Sequence, residues 1–253
     1  MLISGMTSVT FRSHSVREVV ALCKKACLAG IEWGGDVHVP PENAAAAKEA
    51  RERCADEGLK IYSYGSYYSP TKYSDYVGEF EKIAEACLRL GCAVVRIWAG
   101  EKWRCEASDG EYAEFVKRMR KVAFLAQKYG MTVCYEHHQN TYCDGAAHTL
   151  KALSDIGSER IKTYWQPICQ AAEENLKSIA VLKERVVNMH VYHWTGWDRH
   201  LLCEGEKIWR NYLAAFSGEE REIPCLLEFA LNDDENNFFA DAACLKRLLN
   251  EGE

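Results

Sequence analysis

Read along its apolar and polar positions, the chain repeats one unit. A stretch with apolar residues at helical spacing ends in a glycine, and an apolar run too short for another helix follows at once. The junctions are KKACLAG–IEW through Gly30, ERCADEG–LKIYSY through Gly58, ACLRLG–CAVVRIW through Gly91 and LAQKYG–MTVCYE through Gly130. Glycine after a helix takes the left-handed conformation that closes the last turn, so each junction reads as helix, turn and buried strand. The helices are legible in their own right. Ser15 with Glu18 fits a capping box ahead of a stripe of Val19, Val20, Cys23, Ala26 and Cys27. Phe80, Ile83, Ala84 and Cys87 form a second stripe, and Tyr112, Phe115, Val116, Met119, Val122 and Ala123 a third.

The second half continues the alternation. Strand-like runs lie at Ile161–Trp165, Val186–Val191 and Pro224–Phe229, with helical stretches near 146–155, 172–183, 205–216 and 235–249. With an opening strand near residues 2–11, this predicts eight strands and eight helices. Strict alternation implies a parallel sheet with helices outside. Eight units in 253 residues point to an α/β protein with a closed (β/α)8 TIM barrel, one single domain over residues 1–253. No GxGxxG follows any strand, which removes the main reason to expect a dinucleotide-binding sheet.

Composition narrows the function. The net charge of −6 argues against a nucleic-acid surface, which is normally basic. No apolar run approaches the roughly 18 residues needed for a membrane span, and MLISGMTSVTFRSHS lacks the pattern of a secretory signal. The expected location is cytoplasmic. The twelve cysteines form no CxxC pair. Most, including Cys23, Cys27, Cys87, Cys134, Cys225 and Cys244, fall in apolar patterns and read as small buried hydrophobes in a reducing compartment.

The chemistry gathers where the later strands end. TVCY runs into Glu136, KTYW into Gln166, VVNM into His190 and PCLL into Glu228. Active sites of such barrels sit at the carboxyl ends of the strands, and neighbouring strands are about 4.8 Å apart, so these four tips can converge. Two carboxylates, an imidazole and an amide oxygen make an oxygen-rich site suited to one divalent ion, Mn²⁺ first, with Mg²⁺, Co²⁺ or Zn²⁺ as alternatives. Singly, each residue has a structural reading: Glu136 as a partner for Arg96, His190 as a satisfied core histidine, Glu32 and Arg96 as a strand-to-strand pair.

The segments GIEWGGDVHVP, VVRIWAG, YEHHQNT, YWQP, MHVYHW and LLEFA together resemble the xylose isomerase-like TIM barrels, a group of sugar isomerases and epimerases that includes tagatose and psicose epimerases, hydroxypyruvate isomerase and inosose dehydratase. The resemblance covers nearly the whole chain. It implies Glu136, Gln166, His190 and Glu228 as metal ligands, with Glu136 and Glu228 as the catalytic acid/base pair. The family usually has Asp where this chain has Gln166, and His where it has Cys169. A neutral amide supplies an oxygen but no charge, so the metal is expected to bind more weakly and to act as a stronger Lewis acid.

The activity so implied is isomerisation or epimerisation of a sugar or sugar phosphate by proton transfer through a cis-enediolate. The alternatives are a lyase of the inosose dehydratase type and a sugar-binding protein that has lost catalysis. The partner is a small sugar, with no nucleic acid or membrane, and barrels of this group often pair as homo-oligomers. His138 and His193 are candidates to shuttle a proton or hold a hydroxyl. Trp98, Trp194, Trp33 and Trp165 fall at strand ends, where their rings either meet sugar C–H groups or plug the barrel mouth. His38, in the loop after the second strand, is a further substrate-binding candidate, and Arg199 and Arg12 are candidates to reach a substrate phosphate.

Overall fold

The computed structural model describes residues 1–250, apart from the side chain of Asn250. Eight parallel strands close into a barrel: β1 (Leu2–Thr7), β2 (Gly30–Gly34), β3 (Lys60–Gly65), β4 (Val94–Ile97), β5 (Thr132–Tyr135), β6 (Ile161–Trp165), β7 (Val186–Val191) and β10 (Ile223–Leu227). Neighbours in sequence pair around the ring, and β1 closes it by pairing with β10 on one side and β2 on the other. Between the strands run α1 (Val16–Lys25), α2 (Ala44–Asp56), α3 (Tyr76–Leu90), α4 (Asp109–Lys128), α5 (Ala146–Ile156), α6 (Ala172–Leu182) and α7 (Glu206–Ala214), and α8 (Glu235–Asn250) follows β10. A small antiparallel hairpin, β8 (His193–Thr195) with β9 (Asp198–His200), rises from the end of β7. No helix among the described residues is long and apolar enough to cross a membrane.

The elements form for the reasons the pattern gives. Ser15 and Glu18 cap each other reciprocally at the start of α1, and Ser108 and Glu111 do the same for α4. Gly58, Gly91 and Gly130 all adopt positive φ of 68–86° where their helices end. The opening strand is shorter than expected, because residues 8–11 tighten into a turn of 3₁₀ helix.

Two expectations are corrected at the first junction. Gly30 is not the helix stop; it lies inside β2, and the left-handed residue after α1 is Cys27, with φ 55°. Cys27 is therefore exposed rather than part of the buried stripe, whereas Cys23, Cys87, Cys134, Cys225 and Cys244 are buried. Gly30 has a different reason to be glycine. A Cβ there would run into the Lys60 carbonyl oxygen and lie 2.7 Å from the Tyr62 ring, so β2 and β3 can pair closely only without a side chain at this point.

Strand alternation sorts the residues between barrel interior and helix layer. Asn188 on β7 donates to Tyr164 Oη on β6 and, across the barrel, to Ser63 Oγ on β3, at 2.9 and 3.0 Å. The interior is thus partly a hydrogen-bonded layer. Gln166 and His190 each come two residues after a member of it and share its inward direction. Trp33 and Trp165 alternate with Glu32 and Gln166 and face the helices instead. Trp165 donates to Ser178 Oγ at 2.8 Å and packs against Trp209 and Tyr212.

The two glycine roles separate experimentally. Gly58→Ala, with open space around the added methyl, should cost only the left-handed backbone penalty, about 1–2 kcal/mol. Gly30→Ala should cost about 3 kcal/mol or more, because a strand must move. Urea unfolding of the two variants checks the order.

Candidate active site

The centre of the site is the imidazole of His190, fully buried at the end of β7. Its Nδ1 lies 3.0 Å from Gln166 Oε1, 3.3 Å from Glu228 Oε2 and 3.4 Å from Glu136 Oε1. Its Nε2 lies 3.3 Å from Glu32 Oε1 on the opposite side. Four ends of neighbouring strands therefore meet at one nitrogen, and ligand atoms of Glu136, His190 and Glu228 fall within 4.8 Å of one another.

This donor set fits a divalent cation. Nε2–H donated to Glu32 leaves the Nδ1 lone pair facing three oxygens, and a carboxylate behind an imidazole is the usual way of fixing a ligating histidine. Glu136, His190, Glu228 and the Gln166 amide oxygen can hold the ion.

A second layer keeps these groups in place. Arg96, from β4, pairs with Glu136 Oε2 through Nη1, and its Nε lies 3.4 Å from Glu32 Oε1. Ser63 donates to Glu32 at 2.7 Å. Gly65 on β3 makes room for the pair: a Cβ there would stand 2.9 Å from Glu32 Oε1 and 3.0 Å from Arg96 Nη2. Burial pushes the Glu32 carboxyl upward, yet His190, Arg96 and Ser63 outweigh it and hold the group at about 2. Glu136 is also driven up by burial and, chiefly by Arg96, pulled well below the usual carboxylate range. For His190, burial favours the neutral ring, but Glu228, Glu136 and Glu32 around it raise its pKa well above the ordinary value. A metal at Nδ1 competes with that proton.

Above the cluster opens a cavity of about 630 Å³. Trp98, His138, His193 and Trp194 line it together with Glu136, Gln166 and Glu228. His138 packs against Trp98 with the rings tilted at 37° and 5.0 Å apart, its Nδ1 2.5 Å from the Gln139 carbonyl. His193 sits on Gly205, where no side chain would fit beneath the ring, and burial lowers its pKa.

Five other candidates lie elsewhere. His38 is buried beneath the loops, its Nε2 3.0 Å from the His14 carbonyl and its ring edge-on to Trp33, and it does not line the cavity. Arg199 pairs with Asp233 at 2.7 Å and covers the Phe229 ring at 4.9 Å, which ties the hairpin to the loop before α8. Arg12 is likewise engaged, with Asp36 at 2.5 Å and Tyr67 Oη at 2.6 Å. Trp33 and Trp165, facing the helices, neither line the cavity nor plug it.

Sequence reasoning missed Tyr67, which lines the cavity, the brace role of Glu32 on His190, and the β8–β9 hairpin. The hairpin had a signal in the Thr-Gly-Trp-Asp turn. Phe229, next to Glu228, adopts φ 63°; backbone strain of this kind in a non-glycine residue gathers at functional sites.

A closed parallel barrel whose strand ends gather carboxylates, an imidazole and an amide around one point defines a TIM barrel with its site at the carboxyl face. A family model described as xylose isomerase-like TIM barrel matches residues 20–248, and the chain belongs to that family. It is 25% identical over 244 residues to a 3-dehydroshikimate dehydratase of Bacillus anthracis, covering 91% of this chain and 84% of that one. The crystal structure of the probable 3-DHS dehydratase AsbF of Bacillus anthracis superimposes with a TM-score of 0.82 at 19% identity, covering 97% of this chain and 99% of that one. A D-psicose 3-epimerase solved in the presence of D-fructose gives a TM-score of 0.73 at 14% identity, with 97% of each chain covered.

Two substitutions probe the donor set. Gln166→Asp adds a charge at the cluster and should raise Mn²⁺ affinity about 10-fold or more; Glu32→Gln weakens the brace behind His190 and should lower it about 10–100-fold. Calorimetric titration with Mn²⁺, alongside circular dichroism to confirm folding, measures both.

Proposed function

We propose that this protein is a divalent-metal-dependent enzyme that removes the proton next to a carbonyl in a small polyhydroxylated substrate, and that the outcome is loss of water. The observation that carries the reading is the unequal setting of the two carboxylates at His190 Nδ1. Glu136 is clamped as an anion by Arg96, whereas Glu228 pairs with His190 and, among the described residues, with no guanidinium. A carboxylate held by a guanidinium is a poor proton acceptor, which leaves Glu228 as the single base. One base suffices for elimination; inversion of a stereocentre needs a second group to return a proton on the other face.

Glu136, Gln166, His190 and Glu228 would hold a divalent ion, which when bound would supply Lewis-acid stabilisation of the negative charge that develops on the carbonyl oxygen. Glu228 takes the α-proton, and the C–H electron pair moves toward the carbonyl. As the C=C bond forms, the neighbouring C–O bond breaks, and the departing hydroxyl takes a proton and leaves as water. His138, on the cavity wall with its Nδ1 turned to the Gln139 carbonyl, would deliver that proton through Nε2 when the ring carries both protons. Trp98 and Trp194 exclude bulk water and offer flat faces to substrate C–H groups. Similarity to a dehydratase over most of the chain supports this reading.

Epimerisation is the second reading. What favours it is that Glu136 and Glu228 bring two carboxylates to one point beside His190, so that one could remove a proton and the other return it.

Reaction in D₂O separates the two. Dehydration releases water and produces a conjugated carbonyl absorbing in the near ultraviolet; epimerisation places deuterium in the sugar pool with no loss of water. Glu228→Gln should lower turnover by about 10³-fold with the fold intact, and chelation should abolish it. Full activity in Glu228→Gln would remove the assignment of the base.

A further inference from the structure

The cavity is larger than the chemistry at its floor requires. Its 630 Å³ corresponds to roughly twenty water molecules at about 30 Å³ each, close to twice the number of non-hydrogen atoms in a simple hexose. The β8–β9 hairpin forms part of the cavity wall, through His193, Trp194, Thr195, Gly196 and Trp197. Aromatic rings lead outward along it: Phe229, adjacent to Glu228, packs on Trp194 at 4.9 Å, and Trp194 meets Trp197 at 6.4 Å.

Trp197 stands out among the described residues. It lines the cavity, yet it is 71% exposed, the highest value among the large exposed hydrophobic residues. An indole left in water at the rim of a pocket has an unfilled apolar face. The hairpin is built to hold it there. Gly196, with φ 61°, occupies the first position of the two-residue loop between Thr195 and Asp198, as a tight II′-type hairpin prefers. Arg199 fastens the second strand to Asp233 and to the Ala230 carbonyl while its guanidinium lies over Trp194 and Phe229. His193 seats the first strand on Gly205. A tip fixed at both strands presents its indole without an ordering cost on binding. Gln139, Asn140 and Thr195 line the same space and can meet hydroxyls.

We propose that Trp197, Trp194 and the polar rim form a second-ring subsite, so that the substrate is a glycoside, a reacting carbonyl unit joined to a further ring that stacks on Trp197, rather than a free monosaccharide. This rests on the functional reading for what happens at the metal end, but the subsite is a matter of binding and is read without turnover.

Tryptophan fluorescence of the full chain, titrated with a panel of hexoses oxidised to a ketone at a ring carbon and with the methyl and phenyl glycosides of each, which keep that ketone, tests it. At least one pair should show the phenyl glycoside bound 10-fold or more tighter than its parent sugar. Trp197→Ala should bring that ratio to about 2 or below, and Trp197→Phe, which keeps a flat ring, should retain most of it. Preference for phenyl over methyl glycosides marks an aromatic second ring; an equal gain from disaccharides marks a sugar. The proposal is overturned if no glycoside binds tighter than its parent, if Trp197→Ala leaves the ratio unchanged, or if Trp197→Ala instead dissolves a concentration-dependent dimer in sedimentation, which would assign the indole to a second copy of the chain. Failure of the elimination reading appears separately, as absence of water release with a preserved glycoside preference.

Discussion

Arg96 is the charge on which the barrel's polar centre depends. Its guanidinium is 2% exposed and stands between Glu32 and Glu136, with His190 linking the same Glu32 to Glu228. Three carboxylates gathered in a barrel mouth would otherwise repel one another and protonate. Burying an ion pair is not in itself stabilising; desolvation can exceed the attraction, and removing one partner typically costs about 3–5 kcal/mol because the other is left stranded. The benefit is positional. Arg96 turns Glu136, Glu32 anchors the imidazole, and the imidazole presents one nitrogen to the remaining oxygens.

The same network makes the two outer carboxylates unequal. Coulomb attraction at close range in a buried site is stronger than in water, so Glu136, the partner of Arg96, is held as an anion. Gln166 shifts the balance further, because an amide adds an oxygen without adding charge. Preorganised charge of this kind is the main means by which an active site stabilises a developing oxyanion. It is carried by strand ends, with the aromatic wall and the hairpin lining the cavity above them.

Much of this was written along the chain. The ends TVCY-Glu136, KTYW-Gln166, VVNM-His190 and PCLL-Glu228 were visible because a buried strand has a period of two and stops where polar residues begin. Gly58, Gly91 and Gly130 marked helix ends because only glycine takes positive φ without penalty. Gly30 misled for the same reason: a glycine required by close strand approach looks, in sequence, like one required by a turn. Cys27 could close its helix because the chain tolerated a side chain in the left-handed region there. His38 had the right residue type after the right strand, but the loop folds it under His14, and a loop's direction has no periodicity to reveal it.

The sequence by itself determined the fold class, the order of its units and the four strand-end groups, because these follow from local periodicity and chain alternation. Only the tertiary structure decided that Glu32 braces His190 from behind, that Arg96 favours Glu136, that Gly65 yields space to both, and that a hairpin carries Trp197 to the rim. The first three depend on contacts between residues about 30 to 160 positions apart. Their strength comes from burial and from ångström-scale distances, and neither exists until the barrel closes.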